Sequence, residues 1–344
     1  MKKISLILFS LFLIFPLLFS QIGDKNKKNA KTAYNSAVEN IRNLNFEVAL
    51  TYLDAAVELD STLNEALIQR GKVKVELGKI NEATKDFILA SRRDPKNGEP
   101  DFYLGYLPFK TDTSALILSK LNSAIKKGYT QAQAFYFRGL YFLIAKEYST
   151  AINDFTKAVE LKVNYALAYH DRASAKRALG DIQGALYDYR MAVNYENNFP
   201  LAFNNMGSVK IALGDYKGAL TDYSVAIKLN PEFYIAYNNR GTAKYYLGQI
   251  DSALLDFNQA ILLQEKYIPA LNNKAAGLSK SLAYSEAIGI FDQILLSDNS
   301  FGKAYLNKGL VLELTGDLEG ACTNWKKALE LGIKDAEKYL KECK

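Results

Sequence analysis

Small and large apolar residues recur along this chain with a period of 34 residues, separated by stretches of mixed polar residues. If the first repeat begins at Ala30, position 8 is glycine or alanine in every repeat, and position 20 is alanine in every repeat but the third. Position 24 is always large and mostly aromatic. A period of this length predicts an array of stacked supersecondary units. The repeats begin at Ala30, Asn64, Gly98, Ala132, Ala166, Pro200, Tyr234, Ile268 and Gly302.

Each repeat has the pattern of two helices joined by a short turn. The turn sequences Leu-Gly-Asp, Leu-Gly-Gln and Thr-Gly-Asp offer a glycine for a left-handed residue and a polar cap for the next helix. Helices approach closely where side chains are small, so positions 8 and 20 mark their crossing, and the residue at position 24 fills the adjoining gap. One hairpin cannot bury its apolar face alone, which predicts that neighbours stack into an all-α solenoid.

The period of 34, the small residues at positions 8 and 20 and the aromatic near position 24 resemble the tetratricopeptide repeat (TPR) family. The resemblance covers residues 30–335. It implies a right-handed superhelical solenoid of nine helix-turn-helix repeats. The first helix of each repeat, helix A, would line a concave groove, and the second, helix B, would lie outside.

Two parts of the array depart from the regular pattern. The third repeat has Pro108 where helix A should continue, and it lacks the turn glycine and the alanine at position 20. Proline inside a helix costs about 3 kcal/mol, so we expect a short or kinked helix there. After the ninth repeat, residues 336–344 form the pattern of an amphipathic capping helix.

The first 20 residues have the layout of a secretory signal, with Lys2 and Lys3 ahead of an apolar run. Cleavage after Ser20 would leave a short linker, residues 21–29, before the repeats. We therefore expect an exported protein, periplasmic or extracellular. An uncleaved anchor formed by residues 4–20, with the array facing the cytoplasm, is the alternative, because the run is near the lower limit of about 17 residues for crossing a bilayer.

The composition argues against several classes of function. The chain has 43 basic and 37 acidic side chains, a formal charge of +6, without a polybasic tract or an acidic tail. This balance does not predict nucleic acid as a partner, or a membrane except through the N-terminus. One histidine and two cysteines limit metal and nucleophile chemistry, and no catalytic motif is present. We expect no enzyme activity, no cofactor and no metal, and we interpret His170 as a groove-lining contact.

Arginine at position 7 occurs only in repeats that also carry aspartate at position 23. The arginines could form an anion-binding stripe, but their co-occurrence with aspartate favours structural ion pairs between helices A and B of one hairpin. In the sixth repeat, Met206 replaces the arginine, and Lys210 is the substitute base for Asp222. The four predicted pairs are Arg70–Asp86, Arg138–Asp154, Arg172–Asp188 and Arg240–Asp256.

Asparagines recur at two adjacent positions of helix A in the later repeats. In the family geometry, both positions face the groove, where an amide can donate and accept hydrogen bonds and so hold the backbone of an extended peptide. The alternative is that these side chains are merely solvated. The candidates are Asn205, Asn239, Asn273 and Asn307 at position 6, and Asn204, Asn238 and Asn272 at position 5.

Helix A of the fourth repeat is apolar almost all round, which predicts an exposed patch beside the irregular third repeat. Such a patch is typical of an interaction site, and we include its residues in the candidate groove. The alternative is that the third repeat folds over the patch and covers it. The groove candidates here are Tyr103, Tyr136, Phe137 and Leu140.

Cys322 and Cys343 lie at similar distances on either side of Gly332, where the chain should turn. An antiparallel hairpin would bring the two thiols level, so a disulfide is plausible in an oxidising compartment. Two unrelated thiols are the alternative.

Together these patterns predict a non-catalytic scaffold that binds an extended polypeptide or a partner protein in the groove. A membrane-anchored adaptor is one alternative. A carbohydrate-binding or envelope-sensing module is another, because exposed aromatic rings in the third and fourth repeats could stack on sugars.

Overall fold

A computed structural model describes residues 23–111, 116–341 and 343. The predicted signal segment, residues 1–20, lies outside the described residues. Throughout the described part the regular elements are helices, without a β-strand. The chain divides into two compact units, Met1–Lys162 and Val163–Lys344. The predicted all-α fold of stacked helical hairpins is confirmed.

The first unit contains the helices of the first four repeats. Within it, α3 and α4, α5 and α7, and α8 and α9 pack as hairpins. Its elements are α1 (residues 23–42), α2 (Phe46–Leu59), α3 (Asn64–Glu76), α4 (Ile80–Arg93), α5 (Glu99–Tyr106), α6 (Pro108–Thr111), α7 (Ile117–Lys126), α8 (Ala132–Ile144) and α9 (Tyr148–Leu161).

The second unit contains five regular hairpins and a short C-terminal segment. Every helix A in it begins at the first position of its repeat and every helix B at position 17. Its elements are α10 (Ala166–Ala178), α11 (Ile182–Tyr195), α12 (Pro200–Ala212), α13 (Tyr216–Leu229), α14 (Tyr234–Tyr246), α15 (Ile250–Leu263), α16 (Ile268–Lys280), α17 (Tyr284–Ser297), α18 (Gly302–Leu314), α19 (Leu318–Glu330), a 3₁₀ turn (Lys334–Ala336) and α20 (Glu337–Leu340).

The helix crossing in each hairpin explains the small residue at position 8. A Cβ added at Gly241 would lie 2.6 Å from Cε1 of Phe257, and one added at Gly207 would lie 2.8 Å from Cε1 of Tyr223. The large residue at position 24 therefore fills the space that glycine leaves. These residues are almost fully buried: Phe87, Phe155, Tyr189, Tyr223, Phe257, Phe291 and Trp325.

The turn between helices A and B requires a left-handed residue at position 15. Glycine occupies this position in most repeats, for example Gly248 with φ of 75°. Three repeats instead place Leu44, Lys146 and Leu282 there, with φ of 59°, 62° and 65°. Since the left-handed conformation disfavours a side chain by about 1–2 kcal/mol, these three turns are strained.

We expect Leu282→Gly to raise the free energy of unfolding by about 0.5–1 kcal/mol. The leucine is 72% exposed, so its loss removes little packing, and the relief of backbone strain exceeds the entropy that glycine adds to the unfolded chain. Urea unfolding followed by circular dichroism measures the change. The reciprocal control is Gly248→Ala, where an added Cβ meets no atom within 4 Å, and which should destabilise by a similar amount. If both substitutions changed the free energy of unfolding in the same direction, this account of the turn would be wrong.

The third repeat is irregular, as its sequence predicts. Helix α5 has 8 residues, and Pro108 begins the separate short helix α6. The early end of α5 leaves a cavity of about 590 Å³ against α4 and α7. In this repeat the buried Asp101 accepts hydrogen bonds from Ser91 and Ser123 and pairs with Lys127. Burial alone would raise the pKa of Asp101, but these bonds hold it at about 2.

The C-terminal cap is shorter than the predicted helix over residues 336–344. The 3₁₀ turn is followed by only four helical residues in α20. A helix this short has few internal hydrogen bonds, so packing holds it in place. Tyr339 stacks on Trp325 with 5.1 Å between ring centroids, and a disulfide joins Cys322 to Cys343, whose Cα atoms are 5.7 Å apart.

Candidate functional site

The asparagines of the second unit lie on the helix A faces of four successive repeats. Those at position 6 are partly exposed: Asn205, Asn239, Asn273 and Asn307. Those at position 5 are buried, with exposed fractions of 4% for Asn204, 5% for Asn238 and 6% for Asn272. We call these seven residues the asparagine ladder. The position 5 asparagines were expected to line the groove, and their burial corrects that expectation.

Each amide at position 6 donates to the carbonyl oxygen of the position 5 asparagine in the preceding repeat. This bond joins neighbouring repeats through side chains alone. The distances are 3.0 Å from Asn239 Nδ2 to Asn204 Oδ1, 2.9 Å from Asn273 Nδ2 to Asn238 Oδ1, and 3.1 Å from Asn307 Nδ2 to Asn272 Oδ1.

Within a repeat, the position 5 amide donates to the position 6 carbonyl oxygen. The distances are 3.3 Å for Asn204 and Asn205, 3.2 Å for Asn238 and Asn239, and 3.4 Å for Asn272 and Asn273. The two kinds of bond alternate, so the ladder is one continuous hydrogen-bonded chain. An amide can donate two hydrogens and accept two bonds. Asn205, Asn239 and Asn307 therefore each retain one N–H and at least one lone pair for a ligand, whereas the second N–H of Asn273 is directed at Thr242 Oγ1.

The ladder ends at His170 on α10. Asn205 Nδ2 lies 3.0 Å from His170 Nε2, and His170 Nδ1 lies 2.8 Å from Asp171 Oδ1. The imidazole is 6% exposed and contacts the rings of Tyr189 and Phe199. The sequence interpretation of His170 as a groove contact missed this bond to the first asparagine.

A row of hydroxyls at position 9 lies beside the ladder, and sequence reasoning overlooked it. Asn273 Nδ2 lies 3.3 Å from Thr242 Oγ1 as well as bonding Asn238. Ser208 and Thr242 also donate to the backbone carbonyls of Asn204 and Asn238, one turn earlier. In the sixth and seventh repeats, Ser208 and Thr242 lie three positions after the asparagine at position 6, and this spacing was the available signal.

The arginines at position 7 lie against the aspartates at position 23, as planar two-bond pairs. Arg70 Nη2 lies 2.7 Å from Asp86 Oδ1, and Arg240 Nη2 lies 2.8 Å from Asp256 Oδ1. The corresponding distance is 2.7 Å for both Arg138–Asp154 and Arg172–Asp188. The structure brings all four predicted pairs together and directs these guanidinium groups into the hairpins.

A lysine at position 11 joins most of these pairs, which the sequence interpretation recognised only for Lys210. Lys74, Lys176 and Lys244 each lie 2.8–2.9 Å from the same aspartate that the arginine binds. A lysine four residues after the arginine lies on the same helical face, so its spacing was a usable signal. The aspartate at position 23 is thus commonly held by two cations.

The sixth repeat has only one cation for its aspartate. Met206 occupies the arginine position, and Lys210 Nζ lies 2.6 Å from Asp222 Oδ2. Burial raises the pKa of Asp222 and outweighs the attraction of Lys210. Because the folded protein holds this proton more tightly than the unfolded chain, stability falls as the pH rises from the unfolded pKa of about 3.9 through the folded pKa.

We expect Met206→Arg to increase the free energy of unfolding by about 1–2 kcal/mol at neutral pH. A guanidinium at this position would restore the two-bond pair and lower the pKa of Asp222. The gain should be smaller at about pH 3, below the unfolded pKa of about 3.9, because stability that comes from a lowered carboxyl pKa is lost as the pH falls. Thermal unfolding at both pH values measures it, with Met206→Leu as the uncharged control. A gain that is equal at the two pH values would show that the ion pair is not its cause.

The predicted exposed patch in the fourth repeat is largely covered, which corrects the expectation for Tyr136 and Phe137. Tyr136 is 7% exposed, and the Phe137 ring contacts Tyr106 and Phe109 of the third repeat at 4.7 and 5.6 Å. Tyr103 stacks on Phe87 at 4.6 Å. Leu140 is partly exposed. The broken third repeat turns its aromatic rings onto α8, so the rings form core contacts and leave little free face for a sugar.

Within the described part of the chain, no three His, Cys, Asp or Glu side chains are grouped in a way that could hold a metal ion. No helix among those residues is both long and apolar enough to cross a bilayer.

Sequence profiles of a repeat family match part of the second unit. The profile described as "TPR repeat" matches residues 207–248, and the one described as "Tetratricopeptide repeat" matches residues 234–267. Human tetratricopeptide repeat protein 13 is 28% identical over 133 residues, which is 39% of this chain and 15% of that protein. The matched segment therefore spans a small part of that relative.

Solved structures show the same fold at low identity. The Cut9–Hcn1 hetero-tetramer of the APC/C aligns with a TM-score of 0.59 at 16% identity, over 91% of this chain and 75% of that one. A tetratricopeptide repeat protein from Parabacteroides merdae aligns with a TM-score of 0.52 at 18% identity, over 81% and 97%. PilF from Pseudomonas aeruginosa aligns with a TM-score of 0.52 at 19% identity, over 61% and 97%. These likenesses concern the fold alone.

Proposed function

We propose that this chain, a protein built of tetratricopeptide repeats, is a non-catalytic scaffold that binds an extended polypeptide along the asparagine ladder. Proteins of this repeat type generally act as protein-interaction scaffolds. The observation that carries the proposal is the row of partly exposed amides, of which Asn205, Asn239 and Asn307 each have an N–H and a lone pair that no bond of the ladder uses.

Peptide backbones present the matching groups. Every residue of an extended chain carries one N–H and one C=O, and one amide side chain can pair with both. Recognition of this kind reads the backbone and tolerates many side chains. The buried position 5 asparagines hold the position 6 amides in one orientation, which lowers the entropy lost when a peptide binds.

Peptides selected from a random displayed library test this binding. We expect Asn239→Ala to weaken binding by about tenfold, which corresponds to the loss of one or two hydrogen bonds. The control is Leu255→Ala on α15, whose side chain is 69% exposed and lies outside the ladder. Circular dichroism of both variants would verify that they remain folded.

A second arm separates backbone recognition from side-chain recognition. Methylating individual backbone nitrogens of a selected peptide should abolish binding, whereas alanine substitutions along the same peptide should change it little. Binding that survives methylation but depends on particular side chains, or that is unchanged in Asn239→Ala, would contradict the proposal.

We also propose that the protein is exported and that the signal is removed after Ser20. The support is the basic start and apolar run of residues 1–20, together with a disulfide between Cys322 and Cys343, a bond that persists in oxidising compartments. N-terminal sequencing of the protein from its native cells should find Gln21 first. A chain that retains residues 4–20 would favour a membrane anchor instead.

A further inference from the structure

The ladder has two chemically different ends, and only one of them sets its direction. At Asp171 the carboxylate can only accept, so His170 Nδ1 must carry the hydrogen of their 2.8 Å bond. In the neutral imidazole, Nε2 is then an acceptor, and Asn205 must turn its NH₂ group towards it. The tautomer of His170 thus determines which way the first amide faces.

This choice passes along the whole ladder. With its NH₂ group on His170, Asn205 turns its oxygen towards Asn204, which must therefore donate. The oxygen of Asn204 then accepts from Asn239, and the same alternation continues to Asn307. Every amide nitrogen faces the His170 end, and every amide oxygen faces the Asn307 end. Reversing one amide would place two oxygens or two NH₂ groups together.

We propose that His170, oriented by Asp171, is the positioning residue that sets the direction of the ladder, and that protonation of His170 switches off peptide binding. The proposal rests on the proposed function, because it concerns how the same site holds a peptide. The ladder itself, however, can be tested without any peptide.

A directed ladder binds a peptide in one orientation. In an extended chain, the N–H of a residue lies on its amino-terminal side and the C=O on its carboxyl-terminal side. Because the peptide N–H must meet an amide oxygen and the peptide C=O an amide nitrogen, the amino terminus lies towards Asn307. The carboxyl terminus lies towards His170.

Protonation changes the end of the ladder from acceptor to donor. An imidazolium carries hydrogen on both nitrogens, so Nε2 would face the NH₂ group of Asn205 donor to donor. To relieve this contact, Asn205 turns its oxygen to the imidazolium, and the other six amides then reverse in sequence, which misplaces the groups that a bound peptide uses. Peptide affinity should therefore fall when His170 is protonated.

Other charged groups near His170 are already engaged. On α10 and α11, Arg172 and Lys176 both hold Asp188, and on α12, Lys210 holds Asp222. The ring of Tyr189 on α11 makes a T-shaped contact with the imidazole, with 5.5 Å between ring centroids, and its hydroxyl lies 2.9 Å from Ser174 Oγ. The other titratable groups on these helices are Tyr169 and Arg177 on α10, and Tyr187, Arg190 and Tyr195 on α11. Asp171 is the charged group hydrogen-bonded to the ring.

Side-chain amide resonances of the peptide-free protein test the ladder directly. As the pH is lowered from about 8 to about 5, the NH₂ signals of Asn205, Asn239 and Asn273 should shift together, with the midpoint of the His170 ring signal. In His170→Gln, where a neutral amide can still accept from Asn205, these shifts should vanish. Asp251→Asn, at an exposed position of α15, is the control that should titrate like the wild type. The proposal would be overturned if only the NH₂ signal of Asn205 shifted with pH, or if none of the three signals shifted.

Peptide binding gives the second readout. The wild type should lose affinity by about tenfold or more over the same pH range, whereas His170→Gln should change less than about twofold. A spin label at the amino terminus of the peptide should broaden Asn307, and one at the carboxyl terminus should broaden Asn205. The opposite broadening would overturn the stated direction. If the amides titrate together but no peptide binds, the ladder switch stands and the proposed function fails.

Discussion

Replacement of Asp188 by asparagine is expected to lower the free energy of unfolding by about 3–5 kcal/mol, one of the two largest single-site effects that we predict. The carboxylate is fully buried. Its Oδ1 lies 2.7 Å from Arg172 Nη2, and its Oδ2 lies 2.8 Å from Lys176 Nζ. Removing its charge leaves two cations in a buried site without compensation, which is much more costly than removing a surface pair. Asparagine has nearly the same shape as aspartate, so the change in stability reports the loss of the negative charge.

The matched control for this substitution is Asp222→Asn in the next repeat, at the same position. There the aspartate has one cation, and burial raises its pKa, so loss of its charge should change stability little at neutral pH. Urea unfolding of both variants, followed by circular dichroism, measures the difference. If the two substitutions destabilise the protein equally, the second cation at Asp188 is not what makes this carboxylate important.

Phe257→Ala should destabilise the protein by about 3–5 kcal/mol through loss of packing. The ring is 1% exposed and covers Gly241, where no side chain exists to fill the space that it would leave. A cavity between two helices that cannot move together keeps its full energetic penalty. The control is Leu255→Ala, two residues away on α15 but 69% exposed.

Thermal unfolding and hydrogen exchange would measure both variants. Exchange should accelerate in α14 and α15 when Phe257 is lost, because these helices form the hairpin that the ring holds together. A similar small effect of both substitutions would mean that the seventh repeat closes around the gap.

The helical hairpins could be predicted from the sequence because stacking imposes a strict requirement at each crossing. Gly241 and Phe257 are a complementary pair, and each repeat needs such a pair for its own two helices to cross closely. The break at Pro108 was equally visible, since proline affects the helix in which it lies whatever surrounds it.

Other features depended on geometry that periodicity does not contain. Positions 5 and 6 differ by about 100° around a helix, and this rotation is enough to bury Asn204 while leaving Asn205 partly exposed. The 34-residue register aligns Leu282 with the turn glycines of the other repeats, but the sequence does not show whether a leucine keeps the left-handed conformation there. The direction of the ladder arises from which atoms of His170 and Asp171 face each other, a relation that residue spacing does not encode.

The burial of the aromatic residues in the third and fourth repeats could not be predicted from the sequence either. Their abundance on α8 was visible, but their partners came from α5 and α6, whose path after Pro108 is irregular. Once helix A of the third repeat ended early, rings that a regular repeat would have left in the groove could pack on Phe137. These rings are therefore buried because helix A of the third repeat ends early at Pro108.

The disulfide at the cap makes loss of structure in the second unit directional. Repeat arrays lose order from their ends, where a hairpin has a neighbour on one side only. The disulfide tethers Cys343 to α19, and Tyr339 covers Trp325. The C-terminal segment therefore cannot detach from the last hairpin while the disulfide remains. Under oxidising conditions, a pulling force or an unfoldase that acts on the C-terminus would therefore meet its strongest resistance at the first step. Once a reductant has broken the disulfide, unfolding would instead begin at this C-terminal end.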